Sequence, residues 1–238
     1  MTLIVENLYA GYAADIDILR ALNLRARSGQ LTTIIGANGV GKSTLLKCII
    51  GQLHPHRGRI LYQGHDITGS RTTRLVRRGI AYIAQRRNVF PQLTVRENLE
   101  MGCWIFRRDR ARVARAIERA FAEAPVLAEL RHRRAGELSG GQQRLLEIER
   151  ALLTDPVLLL VDEPTVGLDP RMSAIIYRHL RRLSAEDGRT ILMVDQNVIA
   201  GTGVADYIYV LELGTNKIEG TKAEFDTRYR DTIAEWLF

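Results

Sequence analysis

Three short stretches of the chain are almost entirely apolar. They span residues 31–36, 157–163 and 190–196 and read LTTIIG, VLLLVDE and TILMVDQ. Runs of leucine and β-branched residues without polar alternation are typical of strands that are covered on both faces. The pattern therefore predicts an α/β fold in which these stretches are strands of a parallel sheet sandwiched by helices.

Each apolar stretch ends in residues that suit ligand chemistry. The first runs into a glycine-rich loop, the second ends at Asp162 and Glu163, and the third ends at Asp195 and Gln196. The carboxyl ends of parallel strands meet at one edge of the sheet, and open α/β sheets bind their ligands there. We therefore expect the functional site at this edge.

Two stretches between the predicted strands have the residue spacing of helices. Apolar residues recur every three or four positions over residues 172–183, after Pro170, which predicts a helix with one apolar face. His179 is then expected to be a helix-surface residue. A second helical pattern, over residues 88–134, is rich in arginine; Val113, Ile117 and Phe121 repeat at every fourth position, and Pro125 is predicted to start a further helix.

The chain is predicted to be one domain that spans residues 1–238. The first thirty residues and residues 58–67 are β-rich in character. Residues 1–87 and 135–238 are expected to form the core with its β region, and residues 88–134 a small inserted helical subdomain.

Composition and charge limit the classes of protein to which the chain can belong. The chain has 46% hydrophobic and 26% charged residues, which is ordinary for a globular protein. Its longest apolar run, residues 157–161, is too short to cross a bilayer, so a soluble chain is expected. The net charge of +7 comes from arginines that mostly lack interleaved aromatic residues, which favours solvated faces over a nucleic-acid groove. Cys48 and Cys103 have neither metal-ligand nor redox spacing and are expected to be reduced thiols.

The glycine-rich loop after the first strand matches a phosphate loop. Residues 36–43 read GANGVGKS and fit the pattern G-x-x-x-x-G-K-[ST] between a predicted strand and a predicted helix. Glycines allow the backbone amides and the helix N-terminus to face a phosphate, while Lys42 adds a positive charge and the Ser43 hydroxyl can ligate Mg²⁺. The nucleotide-binding residues expected in this segment are Gly36, Asn38, Gly39, Gly41, Lys42, Ser43 and Thr44.

The acidic pair after the second strand suits the same chemistry. Asp162 is predicted to hold Mg²⁺ directly or through water. Glu163 is placed to polarise a water molecule behind the γ-phosphate. Because proline disfavours the helical conformation in the residue before it, Pro164 predicts an extended Glu163 whose carboxylate points outward.

A second glycine pair carries the family resemblance. Residues 138–142 read LSGGQ and lie just before a helix-patterned run, but no lysine follows them. With GANGVGKST, Gln85, VLLLVDEP and GLD in the same order, the whole chain resembles the nucleotide-binding domain of ABC ATPases. The resemblance implies ATP hydrolysis and the ABC type of P-loop fold, which has a mixed, largely parallel sheet core, an N-terminal antiparallel β region and an inserted helical subdomain.

The resemblance also implies a head-to-tail dimer. In that arrangement the LSGGQ loop of one chain, which we call the signature loop, faces the nucleotide on the phosphate loop of a second ABC ATPase subunit. A second set of amide donors and a helix dipole then close the open side of the γ-phosphate. The residues expected to act on the partner nucleotide are Ser139, Gly140, Gly141 and Gln142.

Three further residues take roles from the resemblance. Gln85 is implied as a Mg²⁺ ligand, with Ser43 and Asp162, and as a sensor of the transmembrane partner. Asp169 is implied to connect the two sites of the dimer. Tyr12 is implied to stack on adenine, although core packing of Tyr12 is an open alternative and Tyr9 is a similar neighbour.

Two positions depart from the ABC ATPase pattern. Gln196 stands where the family usually has histidine; with Glu163 it is expected to be catalytic, but to make hydrolysis slower. A neutral hydrogen bond contributes about 0.5–1.5 kcal/mol, against about 1.5–3 kcal/mol for a charged one. Glu149 stands where a small residue is common, and either a surface position or pairing with Arg150 or Arg144 is possible.

The segments NVFPQLTVRENLEMG and ILMVDQN resemble the ATPases of branched-chain amino-acid importers, as does the short C-terminus ending in TIAEWLF. The implied cofactors are ATP and Mg²⁺, and the implied partners are permease subunits and a solute-binding protein, with no nucleic acid. The implied location is cytoplasmic, on the inner face of the cell membrane. An ATPase of a lipopolysaccharide-type exporter, a non-transport ABC ATPase that acts on DNA or ribosomes, and a stand-alone regulator are the alternatives.

Overall fold

The computed structural model describes residues 2–13, 15–86 and 88–228, so the C-terminal TIAEWLF lies outside the described residues. The strands are β1 (Leu3–Ala10), β2 (Leu19–Ala26), β3 (Leu31–Ile35), β4 (Arg57–Tyr62), β5 (His65–Asp66), β6 (Ile80–Ile83), β7 (Leu158–Asp162), β8 (Thr190–Asp195), β9 (Tyr207–Glu212) and β10 (Thr215–Thr221). The α-helices are α1 (Lys42–Ile49), α2 (Thr72–Arg77), α3 (Val95–Gly102), α4 (Arg110–Glu123), α5 (Pro125–Glu129), α6 (Gly140–Leu152), α7 (Pro170–Ala185), α8 (Val198–Val204) and α9 (Lys222–Arg228).

The larger sheet contains the three apolar stretches. Its strand order is β10-β9-β3-β8-β7-β6, with β10 antiparallel to β9 and the other neighbours parallel. Every residue of β3, β7 and β8 is buried, which confirms the predicted covered sheet. Ile35 pairs with Asp195 and Asp162 pairs with Val194, so the three strands end at one edge.

A smaller antiparallel sheet accounts for the predicted β-rich segments. Its order is β2-β1-β4-β5. Side chains on β3 alternate between two cores, as the pleat requires. Ile34 packs in the core that holds α1 and the smaller sheet, while Leu31 and Ile35 pack in the core that holds α6 and α7. The larger sheet is therefore a middle layer between the two cores.

The segment between β6 and β7 is helical, as predicted. Thr94 and Glu97 form a capping box at the start of α3, and Asp109 caps α4. The predicted helix with apolar residues at every fourth position is α4, on which Ile117 and Phe121 are buried. Pro125 is the first residue of α5. Among the described residues, no helix is both long and apolar enough to cross a membrane.

The structure corrects the prediction for His179 and resolves that for Glu149. The His179 side chain is 9% exposed and its Nε2 lies 2.9 Å from Oε1 of Glu149, which is 2% exposed. Glu149 therefore lies between α6 and α7, not at the surface, and the polar group that it faces across the helices is the His179 ring. Neither predicted arginine pairing is found among the described residues: Arg144 pairs with Glu147, and the Arg150 guanidinium donates to the carbonyl oxygen of Asn88. The helical spacing of residues 172–183 placed His179 correctly on α7 but could not show that α6 covers it.

Candidate functional site

The phosphate loop connects β3 to α1 and depends on glycine at two positions. Gly41, with φ of 107°, precedes α1, and a Cβ there would lie 2.5 Å from a Leu19 methyl carbon. A Cβ on Gly36, with φ of 154°, would lie 2.5 Å from the carbonyl oxygen of Leu211. The loop can follow this path only because both residues lack a side chain. Its tip, at Asn38 and Gly39, is exposed.

Lys42 is folded back onto the loop that precedes it. Its Nζ donates hydrogen bonds to the carbonyl oxygens of Gly36 (2.6 Å) and Ala37 (3.0 Å), and the residue is 4% exposed. Burial lowers the pKa of this ammonium group, and the negative charges of Glu163, Asp162 and Asp195 oppose that shift. One buried cation therefore lies in the field of three carboxylates.

Asp162 joins the phosphate loop to the end of β7. Its Oδ1 accepts a hydrogen bond from the Ser43 hydroxyl (2.9 Å), and its Oδ2 accepts one from the Tyr82 hydroxyl (3.0 Å). Asp162 is 2% exposed, and burial raises its pKa against the effect of these two donors. The hydroxyl and the carboxylate that the sequence assigned to Mg²⁺ are thus direct neighbours.

Glu163 lies next to Gln85, in a conformation that the sequence did not predict. The Gln85 amide donates to Oε2 of Glu163 at 2.6 Å. Glu163 has φ of 43° and is 6% exposed, so the prediction of an extended residue with an outward carboxylate is wrong. Its backbone amide donates to the carbonyl oxygen of Val194 (2.9 Å), which fixes the turn after β7. Burial raises the pKa of Glu163, and Lys42 opposes this shift.

Arg144 on α6 is a residue of this region that the sequence argument missed. Its guanidinium group is 3% exposed and donates five hydrogen bonds. The acceptors are the carbonyl oxygens of Ala84 (2.7 Å), Asp162 (3.1 Å), Glu163 (3.1 Å) and Pro164 (2.8 Å), and the carboxylate of Glu147 (2.9 Å). Arg144 therefore ties the helix that follows the signature loop to the turn of Glu163 and to the residue before Gln85. The sequence offers one indication of this role: Arg144 precedes the apolar Ile148 by four residues, which places both side chains on the same face of the helix.

The signature loop forms a closed cap on α6. The Ser139 hydroxyl accepts from the Gln142 amide (3.3 Å), and the Gln142 side chain accepts from the Ser139 amide (2.9 Å). Gly140 is the first residue of the helix, and a Cβ on Gly141 would lie 2.5 Å from a side-chain carbon of Met172 on α7. Gly141 thus permits close packing against α7, in addition to any part in ligand binding.

The remaining predicted residues lie at the surface of the protein, with one exception. Asp169 caps α7 by accepting from the Met172 amide (3.0 Å). Tyr12 is 60% exposed, which rules out core packing, and its hydroxyl accepts from Lys47 Nζ (3.0 Å). Gln196 is exposed directly after β8, whereas Thr44 is buried in α1.

These features together define a class of protein. A glycine-rich loop with a buried lysine precedes a helix, and a serine hydroxyl contacts the aspartate at the end of a neighbouring strand. A glutamate follows that aspartate, within hydrogen-bonding reach of a glutamine. Loop, hydroxyl and carboxylate are the parts by which P-loop enzymes bind and split nucleoside triphosphates. The fold and the site are those of a P-loop nucleoside triphosphatase.

Comparison with known proteins gives the family within this class. The model of the ABC transporter family matches residues 19–166. The chain therefore belongs to the ABC transporter family, as an ATP-binding subunit that hydrolyses ATP. ATPases of this kind act as dimers that associate with membrane-embedded permease partners.

Individual relatives cover almost the whole chain. The high-affinity branched-chain amino acid transport ATP-binding protein BraG of Pseudomonas aeruginosa is 38% identical over 212 residues, which are 89% of this chain and 90% of that protein. The phosphonates import ATP-binding protein PhnC of Alcaligenes faecalis is 35% identical over 94% of this chain and 84% of its own length. The crystal structure of the ADP conformation of an ATP-binding cassette of an ABC transporter has a TM-score of 0.86 and 31% identity, covering 98% of this chain and 97% of that one.

Proposed function

We propose that this chain hydrolyses ATP in a head-to-tail dimer to drive the import of branched-chain or related amino acids or amides through membrane permease subunits. One observation carries the hydrolytic part: Ser43 with Asp162, and Gln85 with Glu163, lie side by side next to Lys42 at the carboxyl edge of the sheet. The substrate class is supported by the branched-chain amino acid transport proteins among the relatives.

In the proposed reaction Glu163 is the catalytic base. Its buried carboxylate takes a proton from the water that attacks the γ-phosphate, and the raised pKa that burial causes brings it closer to neutrality, where a base is most effective. Gln85 orients the carboxylate, and the Gln196 amide donates to the γ-phosphate. Lys42 balances negative charge on the phosphates, and the loop from Gly36 to Thr44 surrounds them with amide donors.

Mg²⁺ fits the residues at the loop. The Ser43 hydroxyl, the Asp162 carboxylate and the Gln85 amide are hard oxygen donors of the kind that Mg²⁺ prefers. The carboxylates of Asp162, Glu163 and Asp195 lie near Lys42, and their negative charge favours the binding of a divalent ion. When bound, the ion would neutralise charge on the β- and γ-phosphates.

The signature loop is proposed to act on the nucleotide of the partner chain. Ser139, Gly140, Gly141 and Gln142 lie at the N-terminus of α6, where amides lack partners within the helix and the dipole is positive. Asp169, as the cap of α7, is proposed to connect the two sites of the dimer.

The proposal includes the domain organisation and the location. Residues 88–134 are assigned to an inserted helical subdomain and residues 1–87 and 135–238 to the core, which the positions of α3, α4 and α5 support. The protein is placed on the cytoplasmic face of the cell membrane, together with permease subunits and a solute-binding protein. Four apolar side chains that follow Gln85 in the chain are exposed: those of Phe90, Met101, Trp104 and Ile105. Their exposure supports a permease contact in this part of the protein.

Co-purification tests the transport assignment. A tagged chain isolated from detergent-solubilised membranes of its source is expected to bring polytopic subunits with it, and ATP hydrolysis by the reconstituted complex should rise when a binding protein loaded with leucine or valine is added. Stimulation by another solute class would replace the substrate assignment. Recovery of the chain without any membrane subunit would favour a non-transport ABC ATPase or a stand-alone regulator.

Replacing Gln196 with alanine is expected to lower the hydrolysis rate without abolishing it. The amide is expected to supply one neutral hydrogen bond, so Gln196→Ala should reduce kcat by about tenfold or less, for a loss near 1 kcal/mol. Gln196→His should retain more activity than Gln196→Ala. Phosphate release under saturating ATP measures both, and equal rates for the two variants would show that this side chain takes no part.

Tyr12 is expected to contribute to ATP affinity by stacking. Its ring is exposed, and Lys47 Nζ lies 5.2 Å from the ring centroid. Adenine would therefore stack on one face of a ring that already has a cation–π contact with Lys47. Tyr12→Ala should weaken binding by about 1–3 kcal/mol, the range for one base on one aromatic ring. Tyr12→Phe serves as the matched control and should bind ATP nearly as the parent does. Equal affinities of the two variants in equilibrium titration would reassign the adenine contact to another residue.

A further inference from the structure

Asp195 is a buried carboxylate directly before Gln196. It is 1% exposed, and among residues 2–13, 15–86 and 88–228 it forms no ion pair. Its Oδ1 accepts from the backbone amide of Asn197 (2.9 Å) and its Oδ2 accepts from the Tyr177 hydroxyl (2.7 Å). Burying a carboxylate costs free energy unless hydrogen bonds compensate for the lost hydration, so these two donors stabilise Asp195 in its buried position.

The Tyr177 hydroxyl connects Asp195 to the loop that carries Glu163. Tyr177 lies on α7, is 5% exposed, and its oxygen is also 2.9 Å from Oγ1 of Thr165. A carboxylate can only accept and a tyrosine hydroxyl has one proton to donate. Tyr177 therefore donates to Asp195 and accepts from Thr165, which is two residues after Glu163. The result is a directed chain of hydrogen bonds from Thr165 through Tyr177 to Asp195.

The turn at Gln196 is shaped by this carboxylate. The bond from the Asn197 amide to the Asp195 side chain spans two residues and encloses Gln196. Asn197 itself caps α8 by accepting from the Ala200 amide (3.0 Å), so the helix start does not need Asp195 as its cap. The Gln196 side chain is exposed and makes no hydrogen bond to the described part of the chain, so its direction follows from this turn.

We propose that Tyr177 and Asp195 are positioning residues that hold the Gln196 turn in register with the loop of Glu163. Tyr177 is buried and acts through Gln196. The inference rests on the proposed role of Gln196 in hydrolysis. Thr165 lies in the loop between β7 and α7, Tyr177 lies on α7, and Asp195 is the last residue of β8. The Tyr177 hydroxyl therefore links the loop of Glu163 to the loop of Gln196, and in the proposed reaction both loops approach the γ-phosphate.

A double-mutant cycle on the full-length chain tests this. Tyr177→Phe removes only the hydroxyl and keeps the ring. It is expected to lower kcat for ATP hydrolysis by no more than Gln196→Ala does, about tenfold or less, with KM for ATP changed by less than about twofold. In a Gln196→Ala background the same change is expected to cost nothing further, because the group through which it acts is already gone.

Tyr209→Phe is the matched control. Tyr209 is also buried, and its hydroxyl bonds to the backbone of Arg25 at the opposite side of the sheet from α7. A loss of kcat in Tyr177→Phe that Tyr209→Phe does not share, at similar melting temperatures, supports positioning over general stabilisation. Thr165→Val against Thr165→Ser gives an independent pair, in which serine should keep the rate and valine should lower it.

The outcomes separate the inference from the function on which it rests. If Gln196→Ala slows hydrolysis but Tyr177→Phe matches Tyr209→Phe, the positioning role is overturned and the role of Gln196 stands. If the effects of Tyr177→Phe and Gln196→Ala add in full, Tyr177 acts by another route and the inference is again overturned. If Gln196→Ala hydrolyses ATP like the parent chain, the proposed role of Gln196 fails and the inference fails with it.

Discussion

Glu163→Gln is expected to reduce the rate of ATP hydrolysis by about 10²–10⁴-fold, the usual cost of removing a general base. The substitution keeps the size of the side chain and its contact with Gln85, which lies 2.6 Å away. It removes the group that we propose accepts the proton from water. ATP affinity should be preserved or slightly improved, because one of the three carboxylates around Lys42 loses its charge.

Two measurements check this. Phosphate release gives the rate, and size-exclusion chromatography with Mg·ATP should show a dimer that the parent chain does not accumulate, since the nucleotide that joins the two chains is no longer split. Glu118→Gln is the matched control, because the side chain of Glu118 is 64% exposed and far from the site in the sequence. A Glu163→Gln chain that hydrolyses ATP at the rate of the control would show that another group is the base.

Arg144→Met is expected to destabilise the fold by about 3–5 kcal/mol, the range for removing one partner of a buried ion pair. Methionine fills part of the volume but donates nothing, so four carbonyl oxygens and the Glu147 carboxylate lose a donor inside the protein. Because those carbonyls belong to Ala84 and the Asp162–Pro164 turn, hydrolysis should also fall in any molecules that remain folded.

Urea unfolding at neutral pH measures the stability change, with Arg178→Met as control. Arg178 is exposed on α7, and within the described residues its guanidinium donates only to its own helix, at the carbonyl oxygen of Ala174. Adding Glu147→Gln to Arg144→Met should recover part of the loss, because it removes the charge that was left unpaired. If Arg144→Met unfolds at the same urea concentration as Arg178→Met, the five hydrogen bonds contribute no net stability.

The strands and loops of the site could be predicted because their signals are local. A run such as LLLV followed by Asp-Glu, or glycines spaced around Lys42, specifies a strand end or a phosphate loop within ten residues. The spacing rules of helices likewise located α4 and α7. These elements are confirmed, and they brought Ser43 and Asp162 to the same edge of the sheet.

The interactions that hold the site together could not be predicted in the same way. Arg144 bonds to Ala84, sixty residues earlier in the chain, and Glu149 meets His179 only when α6 packs against α7. A helical pattern shows which face of each helix is apolar, but not which polar side chain on that face finds a partner. The conformation of Glu163 was missed for a related reason: the hydrogen bond from its amide to Val194, on the neighbouring strand, overrides the local preference set by Pro164.

The cap on α6 has a kinetic consequence. Ser139 and Gln142 satisfy each other within one chain, so the turn that carries Gly140 and Gly141 is ordered before any second molecule arrives. The conformational entropy of this turn is lost during folding rather than at encounter, which lowers the ordering cost of association. In the proposed head-to-tail dimer, closure would then not have to wait for this turn to become ordered.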